Sequence, residues 1–435
     1  MRKLVSGLLI LAMMIMIAAC GSNTKNNETV SANTTPKEST GSDTPAKQEE
    51  LTVWVYDYLV NDNNSPLIKA KEKFEQENPA IKITFQPTVY GTTSYRDKFI
   101  TQTVGGKGPD VILSDVVWVP QLASMKSILP LGDKAKALQD QFYEGPMKAA
   151  TYKNEIYGLP WEASPMAIYY NKTAFKEAGL DPENPPKTWD EMHAAAKALT
   201  GKGKYGFAYM GGWGGSFDWL PFFWQAGGEL FDESGKDALF NSEAGLASAN
   251  YLFGMVKEKL TPPAALTWKT WDELNSAFGA GLTAMYQSGP WSLQELKSNN
   301  LGFEWGVFPS PAGKQQATVL GGTDWVIGKN TQAAEASYKW IEFITNKENM
   351  NVLSDINRVS ARKDNNEQTI FSDPAMKVFI ESIAFAKARP DLTAWSDIDY
   401  NVLQPSLMKI VMSNEDIKKT LDEAVKQANE ILTKN

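Results

Sequence analysis

The hydrophobic pattern begins with alternation. From Leu51 to Asp57 every position but the last is apolar, β-branched or aromatic, with Val53 and Val55 interleaved with Thr52, Trp54 and Tyr56, which predicts a strand. Ser65-Pro66 then supplies a cap and a proline for the first helical position. Leu67, Ala70 and Phe74 follow at helical spacing before Asn78-Pro79 stops the run. Ile81, Ile83 and Phe85 alternate again, and residues 94–104 read as a helix ended by Gly105-Gly106. Val111-Ile112-Leu113 is a short continuous apolar run, the mark of a buried parallel strand. Strand, helix, strand, helix, strand at this spacing predicts a parallel α/β sheet. Ligands of such sheets sit beyond the carboxyl ends of the strands, where Asp57 and Asp115 fall. Farther along, Thr188-Trp189-Asp190-Glu191 is a capping box opening a helix to Leu199. Residues 221–228 form an aromatic-rich helix or wall, and 333–344 and 417–432 carry amphipathic stripes. No internal repeat of fixed period is visible.

The N-terminus follows a different pattern. Arg2 and Lys3 precede an unbroken largely apolar run from Leu4 to Ala19, the length of a secretory leader and at the short limit for a membrane span. Ala18-Ala19-Cys20-Gly21, with Ile17 before it, resembles the lipobox of bacterial lipoproteins. That resemblance implies cleavage after residue 19 and acylation of Cys20, with two or three chains giving the stable anchoring that one does not. An uncleaved anchor helix is the alternative. Between residues 21 and 50 only Val30, Ala32 and Ala46 are apolar and no residue is aromatic. Such a segment cannot offset its ordering entropy, so residues 20–50 are expected to be an acylated Cys and a disordered tether. The folded body is therefore expected outside the cytoplasm, lipid-anchored to the bacterial cell membrane.

Composition narrows the chemistry. The 435 residues carry one Cys, one His and a net charge of −8, and losing Arg2 and Lys3 with the leader makes it −10. An acidic surface opposes nucleic-acid binding. One Cys excludes an internal disulfide and a Cys-based zinc site. The one His, His193, lies inside the capped helix, and no serine or acidic motif points to it. No G-x-x-x-x-G-K-[ST] loop or G-x-S-x-G elbow occurs, and no G-x-G-x-x-G follows a strand. The Asn/Asp-rich stretch 57–64 lacks the glycine and distal glutamate of a calcium loop. Neither cofactor nor metal is expected. A glycosidase would need two suitably spaced carboxylates, for which Asp57, Asp110, Asp115, Glu162 and Asp324 are candidates by position. Any acidic chain offers such pairs, and the missing motifs favour binding over catalysis, so no enzyme is expected.

Four segments then converge. Gly158-Leu159-Pro160 through Tyr170-Asn171 to Phe175 resembles the signature of the extracellular solute-binding proteins of carbohydrate ABC importers (family 1, maltose-binding-protein-like). Trp161-Glu162 depart from the small or aliphatic residues usual there. Gly108-Pro109-Asp110-Val111, the strand ending in Gly289-Pro290-Trp291, and Gly321-Gly322-Thr323-Asp324-Trp325 resemble further family segments in the same order. The resemblance implies a two-lobed α/β periplasmic-binding-protein-like fold, each lobe a doubly wound sheet, joined by a hinge. It implies an N-terminal lobe of residues 51–161 plus 318–368 and a C-terminal lobe of 162–317 plus 369–435. It also implies a carbohydrate ligand, ABC importer permease subunits as partners, and a monomer.

A pyranose presents flat C–H faces and a rim of hydroxyls, which aromatic rings and carboxylates suit respectively. Fourteen Trp residues make that aromatic surface available. The candidates are Trp54, Tyr56 and Asp57 at the end of the first strand, Asp115 and Trp118 at the end of the third, and Glu162 at the interlobe crossing. Trp213 between paired glycines, Trp291 after Gly289-Pro290, Trp325, and Trp395 near the C-terminus complete the set. Trp219, Trp224, Trp305 and Trp340 read as core. A secreted glycan-active enzyme and a receptor for a non-sugar solute such as a polyamine, metal chelate or peptide remain the alternatives.

Overall fold

A computed structural model describes residues 48–89, 93–213, 216–366 and 372–434. The leader, Cys20 and nearly all of the tether lie outside the described residues. Strand β1 (Glu49–Tyr56) runs parallel to β2 (Ile81–Thr88) on one side and to β3 (Val111–Asp115) on the other, as expected. It starts earlier than the sequence suggested, with Glu49 and Glu50 paired to Ile81 and Lys82. The intervening helix Pro66–Glu77 begins where Ser65 accepts a hydrogen bond from the Ile68 amide, and it buries Leu67 and Phe74.

The chain then departs from a purely parallel sheet. β4 (Ile128–Leu129), β7 (Gly158–Pro165) and β3 all lie antiparallel to the long strand β11 (Thr318–Gly328), while the short β12 (Ala386–Lys387) pairs with it in parallel. Thus β11 returns from a distant part of the sequence and closes the first sheet. β5 (Thr151–Tyr152) and β6 (Glu155–Ile156) form a separate hairpin.

Met166 alone separates β7 from β8 (Ala167–Asn171), which belongs to a second sheet with β9 (Met285–Ser288) and β10 (Trp305–Pro309). All three are antiparallel, and parallel bridges at Tyr205–Thr283 and Ala208–Tyr286 extend the sheet on the β9 side. The chain therefore passes between sheets after β7, returns after β10, and passes again near β12.

The family-like segments have structural causes. Asp110 accepts from the Thr52 amide at 2.8 Å and from the Thr331 hydroxyl at 2.6 Å, tying β3's entry to β1 and to the loop after β11. Asn171 ends β8 and caps helix Lys172–Glu177 by accepting from the Ala174 amide at 2.8 Å. Phe175, four residues later, packs edge-on to Tyr170. Thr188 opens its helix with the expected capping box. His193 sits on that helix's surface, 3.0 Å from Glu258 Oε1.

Candidate ligand-binding site

Carboxyl ends of the first sheet carry the first group of side chains. Tyr56 closes β1 and stacks on Tyr58, their centroids 6.0 Å apart and their planes at 6°. Asp57, between them, accepts from the Tyr58 amide at 2.9 Å. The Arg358 guanidinium lies over Tyr58 at 5.3 Å, and its Nη1 is 3.8 Å from Oε1 of Glu162 on β7. Glu162 is buried, and that burial raises its pKa, with Arg358 opposing the shift and Asp115 adding to it. Gly322 makes room for this strand: its φ is +143°, and a Cβ there would lie 2.2 Å from the Glu162 carbonyl oxygen.

Asp115 at the end of β3 links the first sheet to the second body. Its Oδ1 accepts from the Val117 amide at 3.0 Å and from Arg389 Nη2 at 3.1 Å. Arg389 follows β12, and its guanidinium covers the ring of Phe217 at 5.1 Å. Phe217 lies in helix Ser216–Gln225, 6.2 Å from Trp291, which in turn lies 4.9 Å from Trp271. These three rings are all partly exposed, unlike most aromatic rings of the chain. Trp291 folds back over Gly289, where a Cβ would come within 2.1 Å of the indole. The Gly289 carbonyl is held by the Tyr169 hydroxyl at 2.8 Å.

Asp399 and Tyr400 lie within electrostatic reach of Asp115 and Arg389. The Arg96 guanidinium lies over Tyr400 at 5.5 Å. Asp399 Oδ2 accepts from Gln404 at 3.2 Å. Its pKa is raised by burial, against hydrogen bonding from Ser216 and the charge of Arg389. Among the described residues, Asp399 Oδ1, Arg389 Nε and Trp291 Nε1 are buried without a hydrogen-bond partner. Buried polar atoms are normally satisfied, so each of these three retains capacity for a further polar contact. Asp324 on β11 is also unpartnered, and burial together with Asp115 raises its pKa well above the carboxylate range.

The expected residues divide accordingly. Asp57, Asp115, Glu162 and Trp291 belong to this connected arrangement, and Tyr56 does so only through its stacking on Tyr58, since its own ring is fully buried. Trp54 does not: its ring packs on Tyr95 and Phe99, and its indole N–H donates to Gln86 at 2.7 Å. Trp325 is fully buried between Trp161 and Trp340, and Trp395 is fully buried edge-on to Phe231. Trp118 stands beyond the end of β3, but Tyr95 packs against it and it is 3% exposed. The backbone of Trp213 forms a short 3-10 turn, and its side chain lies outside the described residues. Of the expected core set, Trp219, Trp224 and Trp340 are buried, while Trp305 is partly exposed. The sequence reading missed Tyr58, Phe217, Trp271, Arg358, Arg389 and Asp399. Only Tyr58, next to Asp57 past a strand end, carried a local signal.

A cavity of about 1260 Å³ lies beside this arrangement, lined in part by Val116, Val117, Phe231, Lys387, Arg389 and Leu392. It shares Arg389 with the aromatic ledge, but Trp291 and Glu162 do not line it. No helix among the described residues is long and apolar enough to cross a membrane.

Known proteins share this architecture. The family described as bacterial extracellular solute-binding protein matches residues 59–351. The maltooligosaccharide ABC transporter solute-binding lipoprotein of Streptococcus pneumoniae serotype 4 is 28% identical over 357 residues, 78% of this chain and 76% of that protein. The galactooligosaccharide-binding protein of Bacillus subtilis is 23% identical over 434 residues, covering 96% and 94%. An ABC transporter solute-binding protein of Thermotoga lettingae, crystallised with α-D-tagatose, matches with a TM-score of 0.80 at 26% identity. That match covers 88% of this chain and 100% of the Thermotoga chain.

Proposed function

The chain belongs to the bacterial extracellular solute-binding protein family, and from that premise we propose that it is a sugar receptor serving an ABC importer. Its ligand is an oligosaccharide held where the two lobes meet. The observation that carries this reading is the run Trp271–Trp291–Phe217–Arg389–Asp115, which sets partly exposed aromatic rings beside charged hydrogen-bonding groups. Aromatic faces suit pyranose C–H faces, and carboxylate and guanidinium groups suit hydroxyls. The ledge is preferred to the large neighbouring cavity as the centre of the site because partly exposed rings meet the Asp115–Arg389 ion pair there. Relatives named for maltooligosaccharide and galactooligosaccharide binding support the ligand class.

The lobes in this proposal are residues 51–161 plus 318–368 and 162–317 plus 369–435, with closure selected by a ligand that touches both. The receptor works as a monomer, without catalysis, and hands its sugar to the importer's permease subunits. Acylated Cys20 holds it to the outer face of the cell membrane. Isothermal titration and thermal melting against maltotriose, maltohexaose and β-galactotriose test the reading. Saturable binding with a raised melting temperature is expected for at least one. Silence across all three, with reducing-end release from starch or galactan, would instead support a glycan-active enzyme.

A further inference from the structure

Arg389 is fixed from two sides. One terminal nitrogen is 3.1 Å from Asp115, its guanidinium plane rests on Phe217, and its side chain is only 10% exposed. The remaining Nε–H is buried without a partner among the described residues. Asp399 is the complementary group. One of its oxygens is held by Gln404, while Oδ1 is buried and unpartnered. The charge of Arg389 reaches Asp399, and Ser216, which hydrogen-bonds Asp399, immediately precedes the Phe217 that Arg389 covers. Asp399 opens a π-helical turn, Asp399–Leu403, a geometry often found at functional sites. A rigid donor and a rigid acceptor, both desolvated and each with an unpartnered atom, thereby flank the Ser216–Phe217 step that enters the aromatic ledge.

We propose that Arg389 and Asp399 form a specificity-determining pair that reads neighbouring hydroxyls of an uncharged sugar. Arg389 Nε–H donates to one ligand oxygen, and Asp399 Oδ1 accepts from the next. This rests on the sugar-receptor reading and adds a ligand class to it. Arg389 already has its acid in Asp115, Arg358 has Glu162 and Arg96 has Asp97, so among the described residues an anionic sugar finds no spare guanidinium here and would meet Asp399. A hydroxyl-reading site also penalises a ligand that leaves its buried groups unpaired.

The test titrates the full-length chain with β-galactotriose, maltotriose and trigalacturonate, for the wild type, Arg389→Lys and Asp399→Asn. The lysine keeps a positive charge for Asp115 but carries its donors on a single nitrogen and places none where Nε–H stands, and the amide keeps the shape of Asp399 without its charge. Each variant is expected to weaken neutral trisaccharide binding about 10- to 100-fold, the range of one charge-assisted hydrogen bond. Asp399→Asn is also expected to raise the affinity for trigalacturonate relative to the neutral sugar, a shift that a general loss of folding would not produce. Melting without ligand identifies a misfolded variant, and the other variant then decides. Wild-type affinity in both variants, or wild-type preference for trigalacturonate, overturns the pair's role while the receptor reading stands. No binding of any sugar by the wild type overturns both.

Discussion

Gly289 separates the stability of this protein from its ligand affinity. Its backbone is extended, with φ −107° and ψ −173°, a conformation alanine adopts freely. A Cβ would nevertheless stand 2.1, 2.3 and 2.5 Å from three atoms of the Trp291 six-membered ring. Ordinary carbon contacts are about 3.5–4.0 Å, so the indole must move by roughly 1.5–2 Å. Trp291 is partly exposed and can swing outward, so the backbone need not yield. The displaced ring loses its contacts with Trp271 and Phe217, each worth about 0.5–1.5 kcal/mol. Alanine returns about 0.4–1 kcal/mol through the unfolded chain, so the net stability loss in Gly289→Ala is expected to be about 0–2.6 kcal/mol. If one pyranose face covers roughly 60 Å² of the indole, its loss is worth about 1.5 kcal/mol, or about 10-fold in affinity. Urea unfolding measures the first quantity and titration with a trisaccharide that binds the wild type measures the second. Trp291→Ala should show at least the same affinity loss. Unchanged affinity in Gly289→Ala, with unfolding also unchanged, would refute the placement of Trp291 over Gly289. Unchanged affinity in Trp291→Ala would remove the ring from the ligand site.

Other consequences follow from the same contacts. Gly322→Ala would drive a Cβ to 2.2 Å from the Glu162 carbonyl at a φ of +143°, and should lower unfolding free energy by about 2–4 kcal/mol in urea titration. Asp115→Asn removes the carboxylate facing Arg389 and should cost about 1–3 kcal/mol by the same measurement while weakening sugar binding. Burial lifts Asp218 from 3.8 to about 8, against hydrogen bonds from the Met210 amide and the Gln287 side chain. The folded chain therefore holds a proton that the unfolded chain releases between about pH 4 and 8, so Asp218 makes stability fall as pH rises through that window. In Asp218→Asn the decline of melting temperature across this range should be shallower, and an identical slope would contradict the assignment. Cys20→Ala should abolish acylation of the chain, detected by mass spectrometry, and an acyl chain persisting in the variant would contradict the assignment of Cys20.

Local order in the first sheet was legible because each signal was local. Ser65-Pro66, Asn78-Pro79 and the alternating strands lie within a few residues of what they control. The direction of β11 was not legible in that way, because its partners β3 and β7 lie far away in sequence and no short-range pattern encodes antiparallel pairing. The residues proposed for binding divide for the same reason. Asp115, Glu162 and Trp291 have positional signals: a strand end, an interlobe crossing, and a Gly-Pro turn. Arg358 and Arg389 gain their meaning only from Glu162 and Asp115, to which distant folding brings them. Phe217 and Trp271 likewise become a ledge only once Trp291 lies between them.

The tryptophans show which physical criterion the sequence did contain. Trp54 alternates with Val53 and Val55, yet all three are buried, because a strand inside a parallel sheet is covered on both faces. Pointing away from the valines therefore does not expose the indole, and Trp325 inside β11 obeys the same rule between Trp161 and Trp340. Trp291 differs because its strand has already ended, and Gly289 lets the ring turn back across the turn. Being past a strand end is still insufficient, since Trp118 satisfies it and is packed against Tyr95 from the neighbouring helix. A tryptophan proposed for the site thus needs two conditions: a position beyond the sheet, and a ring that its packed neighbours leave partly exposed, as Trp271 and Phe217 leave Trp291. The first can be read from alternation, whereas the second depends on how the helix 93–104 packs against the end of β3 and emerges only when the chain is folded.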